Sequence, residues 1–127
     1  MKKSKIEGEI NQSVVDVNQN VMSDQGVRIN PVNPPYYEGG HRFQLGRVVI
    51  TRGAMESLEP ELIMFALARH ATGDWGELCD HDQLQNELAL QHGNRILSKY
   101  KAHDGEMFYI ITEWDRSYTT ILLTHEY

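Results

Sequence analysis

The sequence predicts an α+β domain: a small antiparallel β-sheet, a three-strand C-terminal meander plus one N-terminal strand, packed on two main helices. Three observations lead there. "RILSKYKA" and "MFYIITEW" are strand-like runs on either side of "HDGE", and Asp-Gly between two such runs is a strong hairpin signal. Two helical stretches are punctuated by Pro60 and Gly73 and by Asp80 and Gly93. "FQLGRVVIT" is β-branched and precedes both helices. Helices grouped before a run of strands give a layered sandwich with the helices on one face.

Each element follows from its residues. The first forty residues are rich in Asn, Gln, Ser, Asp, Gly and Pro, and "NPVNPP" cannot propagate a helix. A segment this polar buries too little to offset its ordering entropy, so 1–40 is expected to be a flexible, mostly disordered arm and 41–127 a single globular domain. "FQLGRVVIT" is the first strand, with Arg52-Gly53 as the turn out of it and "AMESL" as a short helix. Pro60 suits a helix start, where its missing N–H would have no partner. The helix over 60–70 is apolar around most of its girth and so should be central. Arg69 and His70 complement its dipole, and Gly73 stops it. Asp80 and Gln83 have capping-box spacing for the next helix. Leu84, Leu88 and Gln91 line one face of that helix, with Ala89 beside it, so it should lie on the sheet. "DRS" turns the chain into "YTTILLT", the last strand.

Composition excludes several classes. The 127 residues carry 18 acidic and 12 basic side chains, a formal charge of −6. A chain of that sign has no general attraction for phosphate backbones. The single cysteine, Cys79, allows no internal disulfide. "MKKSKIEGEI" lacks the apolar core of a signal peptide, and the apolar run over 62–68 is too short to cross a bilayer. A cytoplasmic protein without membrane contact is expected.

The polar residues that a function would use concentrate in "RHATGDWGEL", residues 69–78, and "EWDRSYTT", residues 113–120. His70, Asp74 and Glu77 have the types of an acid–base group, yet no nucleophile stands near them. The structural reading of the same stretch has His70 capping carbonyls, Asp74 accepting N–H bonds in the turn and Trp75 plugging the core. Gly73 and Gly76 would let the backbone turn on either side of the indole. Cys79, His81, His70 and His92 do not match paired zinc spacings, and Glu77, Asp80 and Asp82 suit helix-start electrostatics better than a cation. No metal or cofactor is expected. Asp115 and Arg116 lie in the bend before the last strand, where Arg116 is expected to pair internally, with Glu113 or Asp74. Arg95 and Lys99 read as solvated strand charges. The candidate binding residues are therefore His70, Asp74, Trp75, Glu77, Asp80, Asp82, Asp115 and Arg116, with no catalytic set.

"LGRVVITRGAMESL", "RHATGDWGEL", "NRILSKY", "IITEWDRSYTTILL" and the final "EY" occur in this order. Together they resemble a family of small plasmid- and phage-borne proteins of bacterial mobile elements, over residues 43–127. The family pattern expects Pro at the position of Thr124. The resemblance carries no activity and no cofactor. Some members bear a restriction–modification name, but 43–127 holds no glycine-rich cofactor loop and is too short for a methyltransferase fold. Taken with the lack of a credible nucleophile or metal set and with the acidic balance, the resemblance leads to the expectation of a small acidic accessory protein of mobile elements that acts by binding another macromolecule.

One version of that expectation is an anti-defence inhibitor, anti-restriction or anti-CRISPR. It would lay Glu77, Asp80, Asp82 and Asp104 into the basic groove of a host nuclease or CRISPR complex. Two alternatives stand beside it. One is a small hydrolase or nucleotide-processing enzyme using His70, Asp74, Glu77 and Arg116. The other is a structural or regulatory partner of transfer proteins, with a homodimer through the sheet edge.

Overall fold

The computed structural model describes residues 40–127 and the backbone of 14–16. The elements are β1 (Val14–Asp16), β2 (Arg47–Thr51), α1 (Arg52–Ser57), α2 (Pro60–Thr72), α3 (Asp80–His92), β3 (Ile96–Lys101), β4 (Met107–Thr112) and β5 (Tyr118–Leu123), closed by a 3-10 turn at Thr124–Glu126. The sheet order is β1-β2-β5-β4-β3. The C-terminal meander is antiparallel, with Ile110 opposite both Ser98 and Ile121. β2 joins it in parallel, Val48 beside Thr119, and β1 adds antiparallel to β2. The α+β class stands, with a mixed sheet in place of a wholly antiparallel one. The expected arm otherwise lies outside the described residues.

Alternation assigns the faces. Val48, Ile50, Ile96, Tyr100, Phe108, Ile110 and Ile121 point inward and meet Ala54, Ile63, Leu67 and Trp75 in the main core. The other face carries a second, smaller cluster: Ile111 and Leu122 are fully buried, with Leu97, Tyr109 and Tyr127 packed on them. β5 is therefore buried along nearly its whole length.

Three boundaries differ from expectation for local reasons. The 43–46 stretch is irregular, because Gly46 takes φ +67 and its α-carbon lies against the Arg116 and Ser117 carbonyls. A strand with ordinary side chains cannot make that approach. Arg52 and Gly53 open α1 rather than form a turn, since Thr51 Oγ1 accepts the Ala54 N–H as an N-cap. Asp80 is the first residue of α3, not its cap; Cys79 precedes the helix with no side-chain cap, and Gln83 Nε2 instead donates to the Leu78 carbonyl at 2.9 Å.

α2 and its left-handed stop at Gly73 match the expectation, but α3 is turned over. Leu84 is 55% and Leu88 36% exposed, while Asn86 and Ala89 face inward. α3 runs alongside the edge of β3 rather than across the sheet. Asn86 Nδ2 donates to the Leu97 carbonyl at 2.7 Å, and Asn86 Oδ1 accepts the Leu97 N–H at 3.1 Å. A leucine could make neither bond, so the slot beside a strand edge selects the amide. Among the described residues no helix is long and apolar enough to cross a membrane.

Candidate functional site

The 69–78 stretch is a pinned turn. Arg69 Nε and Nη2 donate to Asp74 Oδ2 and Oδ1 at 2.8 and 3.2 Å, and Gly76 N–H donates to Asp74 Oδ1. The hydrogen bond from Arg69 holds the Asp74 carboxyl below its ordinary range. The Tyr100 hydroxyl donates to the Asp74 carbonyl at 2.7 Å. Lys99 N–H donates to the Trp75 carbonyl, and Glu77 N–H to the Lys99 carbonyl. Gly76, at φ +76, makes this possible: a Cβ there would run into the Lys99 carbonyl and the Tyr100 ring.

Trp75 is the wedge of this turn. It is 3% exposed, stacks on Phe43 with centroids 6.3 Å apart, and meets His70 edge-on at 6.1 Å. Its indole N–H donates to Glu87 Oε2 on α3 at 3.0 Å. Glu87 in turn accepts both Arg42 nitrogens, at 3.0 and 2.8 Å.

His70 is fully buried, with Nδ1 2.6 Å from Ser98 Oγ and Nε2 2.9 Å from Thr112 Oγ1. Thr112 Oγ1 is 2.7 Å from Thr119 Oγ1, which donates to the Leu45 carbonyl at 2.6 Å. A carbonyl only accepts, so the proton directions follow in sequence. Thr119 gives its proton to Leu45, Thr112 donates to Thr119, and His70 Nε2–H donates to Thr112. Nδ1 of the neutral ring then accepts from Ser98. Burial, with a smaller contribution from the Arg116 charge, holds the imidazole pKa down to about 3. The ring is a neutral joint between α2, β3, β4 and β5. It is not the cationic helix cap that the sequence suggested.

The candidate residues therefore fall into four places. His70 and Trp75 are interior and offer a partner no surface, because the core needs the volume of both rings. Asp74 is tied to Arg69 at the end of α2. Glu77, Asp80 and Asp82 are exposed together where the chain enters α3. Asp115 and Arg116 lie at the opposite end of α3. Arg116 Nη1 donates to the Asn94 and Glu113 carbonyls at 2.7 and 3.0 Å, and Nη2 to the Ala89 carbonyl at 3.3 Å. These are backbone partners, not the carboxylates expected. Asp115 Oδ1 accepts the Ser117 N–H and hydroxyl. Asp104 sits in the β3–β4 turn and accepts the Glu106 N–H. His70, Asp74 and Arg116 share no cleft, since both ring nitrogens of His70 are engaged in the core. No group of three or more His, Cys, Asp or Glu is placed to hold a metal ion among the described residues.

One concavity stands out, a trough of about 750 Å³ on the outer side of β3. α3 forms one wall with Asn86, Leu88 and His92, and Tyr109 and Tyr127 form the other. Arg95 lies toward one end; Lys99, Glu77, Cys79 and Asp82 lie toward the other. Tyr127 meets Tyr109 edge-on at 5.4 Å. Sequence reasoning placed only Glu77 and Asp82 in a site. It missed the rest because the trough is assembled from α3, β3, β4 and the C-terminal residue, and no local pattern joins them. Asn86, a polar residue three before the inward Ala89, was the one available signal.

No family model, curated protein or solved structure matches the chain.

Proposed function

We propose that this protein is a small acidic accessory protein of mobile genetic elements, located in the cytoplasm. It acts by binding another macromolecule through the outer surface of α3. The observation that carries the reading is the outward stripe of Leu84 and Leu88, with Asp80 one turn before Leu84 and the exposed Glu77 and Asp82 near the same helix start. Two exposed leucines at i, i+4 spacing give an apolar anchor, and the carboxylates around them give direction and register. The overall charge of −6 supports a basic partner surface. The partner class is a host or element-encoded protein, with a defence nuclease or CRISPR complex as the specific proposal. Carboxylates would occupy a groove built for phosphates, and the protein itself would bind no nucleic acid generally. A homodimer through β3 has no support, since Asn86 and the 75–77 turn already occupy its edge groups.

The test is protection of a challenged phage or plasmid in hosts carrying a restriction or CRISPR system, beside binding to the purified defence complex. The natural chain should protect, and binding should weaken as salt rises. Leu84→Asp with Asp80→Lys and Asp82→Lys should abolish both while leaving the folded spectrum intact. Full protection by that triple variant would overturn the proposal.

A further inference from the structure

The outward face of α2 carries an inference separate from the surface of α3. Phe65 is 58% exposed there, more than any other large apolar side chain among the described residues. One exposed aromatic is ordinary; its surroundings are what single it out. Helical spacing puts Glu61 one turn before Phe65 and Arg69 one turn after it, on the same face. Leu62 lies beside them toward the start of the helix, and Ala68 and Thr72 toward its end. Ala68 and Thr72 are small, and the Thr72 hydroxyl already donates to the Ala68 and Arg69 carbonyls, each at 2.9 Å. A second helix can therefore come close here without stranding that hydroxyl.

The charges on this face run from acid to base, with the aromatic midway. If the face is turned end for end about Phe65, Glu61 of one copy lies level with Arg69 of the other, about 6 Å from the centre on each side. Arg69 is held ready for this. Its Nε and Nη2 donate to Asp74 and its guanidinium lies on the Tyr100 ring at 4.7 Å, which leaves Nη1 for a second carboxylate. Glu61 is exposed, and the ion pairs among the described residues use other carboxylates. We propose that α2 is a self-association surface: a second copy of this chain packs its own α2 antiparallel on the first, about a two-fold axis at Phe65. The two Phe65 rings meet at the axis, Leu62 covers Ala68 of the other copy, and Glu61 pairs with Arg69 in both directions. The contact is isologous and closes at two copies. A parallel arrangement would set Glu61 against Glu61 and Arg69 against Arg69, which charge opposes. One helix face from each copy is a small interface, so monomer and dimer exchange. The formal charge of −6 on each copy opposes their meeting, and salt near the physiological level screens that repulsion.

Sedimentation equilibrium of the full chain in about 0.15 M salt, from about 10 μM to about 1 mM protein, tests this. The mass should rise from monomer toward dimer and stop there. Phe65→Gln puts a good helix former at an exposed position, so it should keep the folded spectrum while weakening the dimer about tenfold or more. Glu61→Lys should weaken it about threefold or more, because like charges then face each other. Met55→Gln, at an exposed apolar position on α1, should leave it unchanged. A mass that stays monomeric to about 1 mM would overturn the proposal. So would a dimer that Phe65→Gln leaves intact or that Met55→Gln weakens equally, since either assigns association to another surface. A dimer unaltered or strengthened by Glu61→Lys would overturn the antiparallel pairing.

Discussion

At the scale of the residue, His70 shows how an ordinary titratable side chain becomes a structural joint. Its pKa of about 3 in the folded chain compares with 6.5 for the free side chain. Between those values the unfolded chain binds a proton that the folded chain refuses, so stability rises with pH through this window and levels off above it. Falling from pH 7 to pH 5 should cost about 2 kcal/mol from this group alone. Urea unfolding of the natural chain at both pH values checks the figure. His70→Gln, which can donate and accept but does not titrate, should flatten that part of the slope. An unchanged slope in the variant would assign the acid sensitivity to other groups. The burial of Trp75 was legible because two glycines flank it in a stretch that follows an apolar helix. The partners of His70 were not, because Ser98 and Thr112 lie 28 and 42 residues away.

Among the elements, the relation between α3 and β3 decides most. An edge strand exposes alternate N–H and C=O groups and invites pairing with another chain. Here residues 75–77 cover Lys99, and the Asn86 amide covers Leu97 with two bonds that imitate a neighbouring strand. Asn86→Leu should cost about 2–3 kcal/mol, since it leaves a donor and an acceptor stranded. It should also open the edge to self-association, visible as a concentration-dependent shift in sizing chromatography. A monomeric variant of unchanged stability would show that the amide does neither. The hairpin at Asp104-Gly105 was legible, because turn chemistry is local and Gly105 takes φ +92 there. The orientation of α3 was not. Its leucine stripe obeys the helical period equally well facing inward or outward, and only the adjoining strand edge chooses.

On the scale of the whole molecule, α3 is held less by apolar burial than by polar ties at its middle and at its C-terminal end. Only Asn86 and Ala89 of its thirteen residues are buried. Arg42 grips Glu87, but both side chains are about 40% exposed, 41% and 42%, so solvent screens that pair and it is worth at most about 1 kcal/mol. Arg116 makes three bonds to carbonyls around the end of α3 and lies over the Phe43 ring at 5.7 Å. It also sits at φ 60, a conformation that costs a non-glycine residue and must be offset by those bonds. Arg116→Ala should therefore release α3, speeding amide hydrogen exchange across it by about tenfold or more. Exchange in β4 and β5 should hardly change, and Arg42→Ala should do much less. Equal acceleration in helix and sheet would show that Arg116 supports the molecule globally instead.

The amino-acid sequence by itself determined the α+β class, the stops at Gly73 and Gly93, both turns of the meander, and the acidic balance. Each of these depends on a residue's own backbone preference, on periodicity over a few neighbours, or on a sum over the chain. Only the tertiary structure decided that β2 joins in parallel, that the α3 leucines face outward, that His70 is a neutral joint, and that Arg95 and Tyr127 converge on one trough. Those facts depend on which groups meet across tens of residues, and chain spacing carries no information about a contact that folding alone brings together.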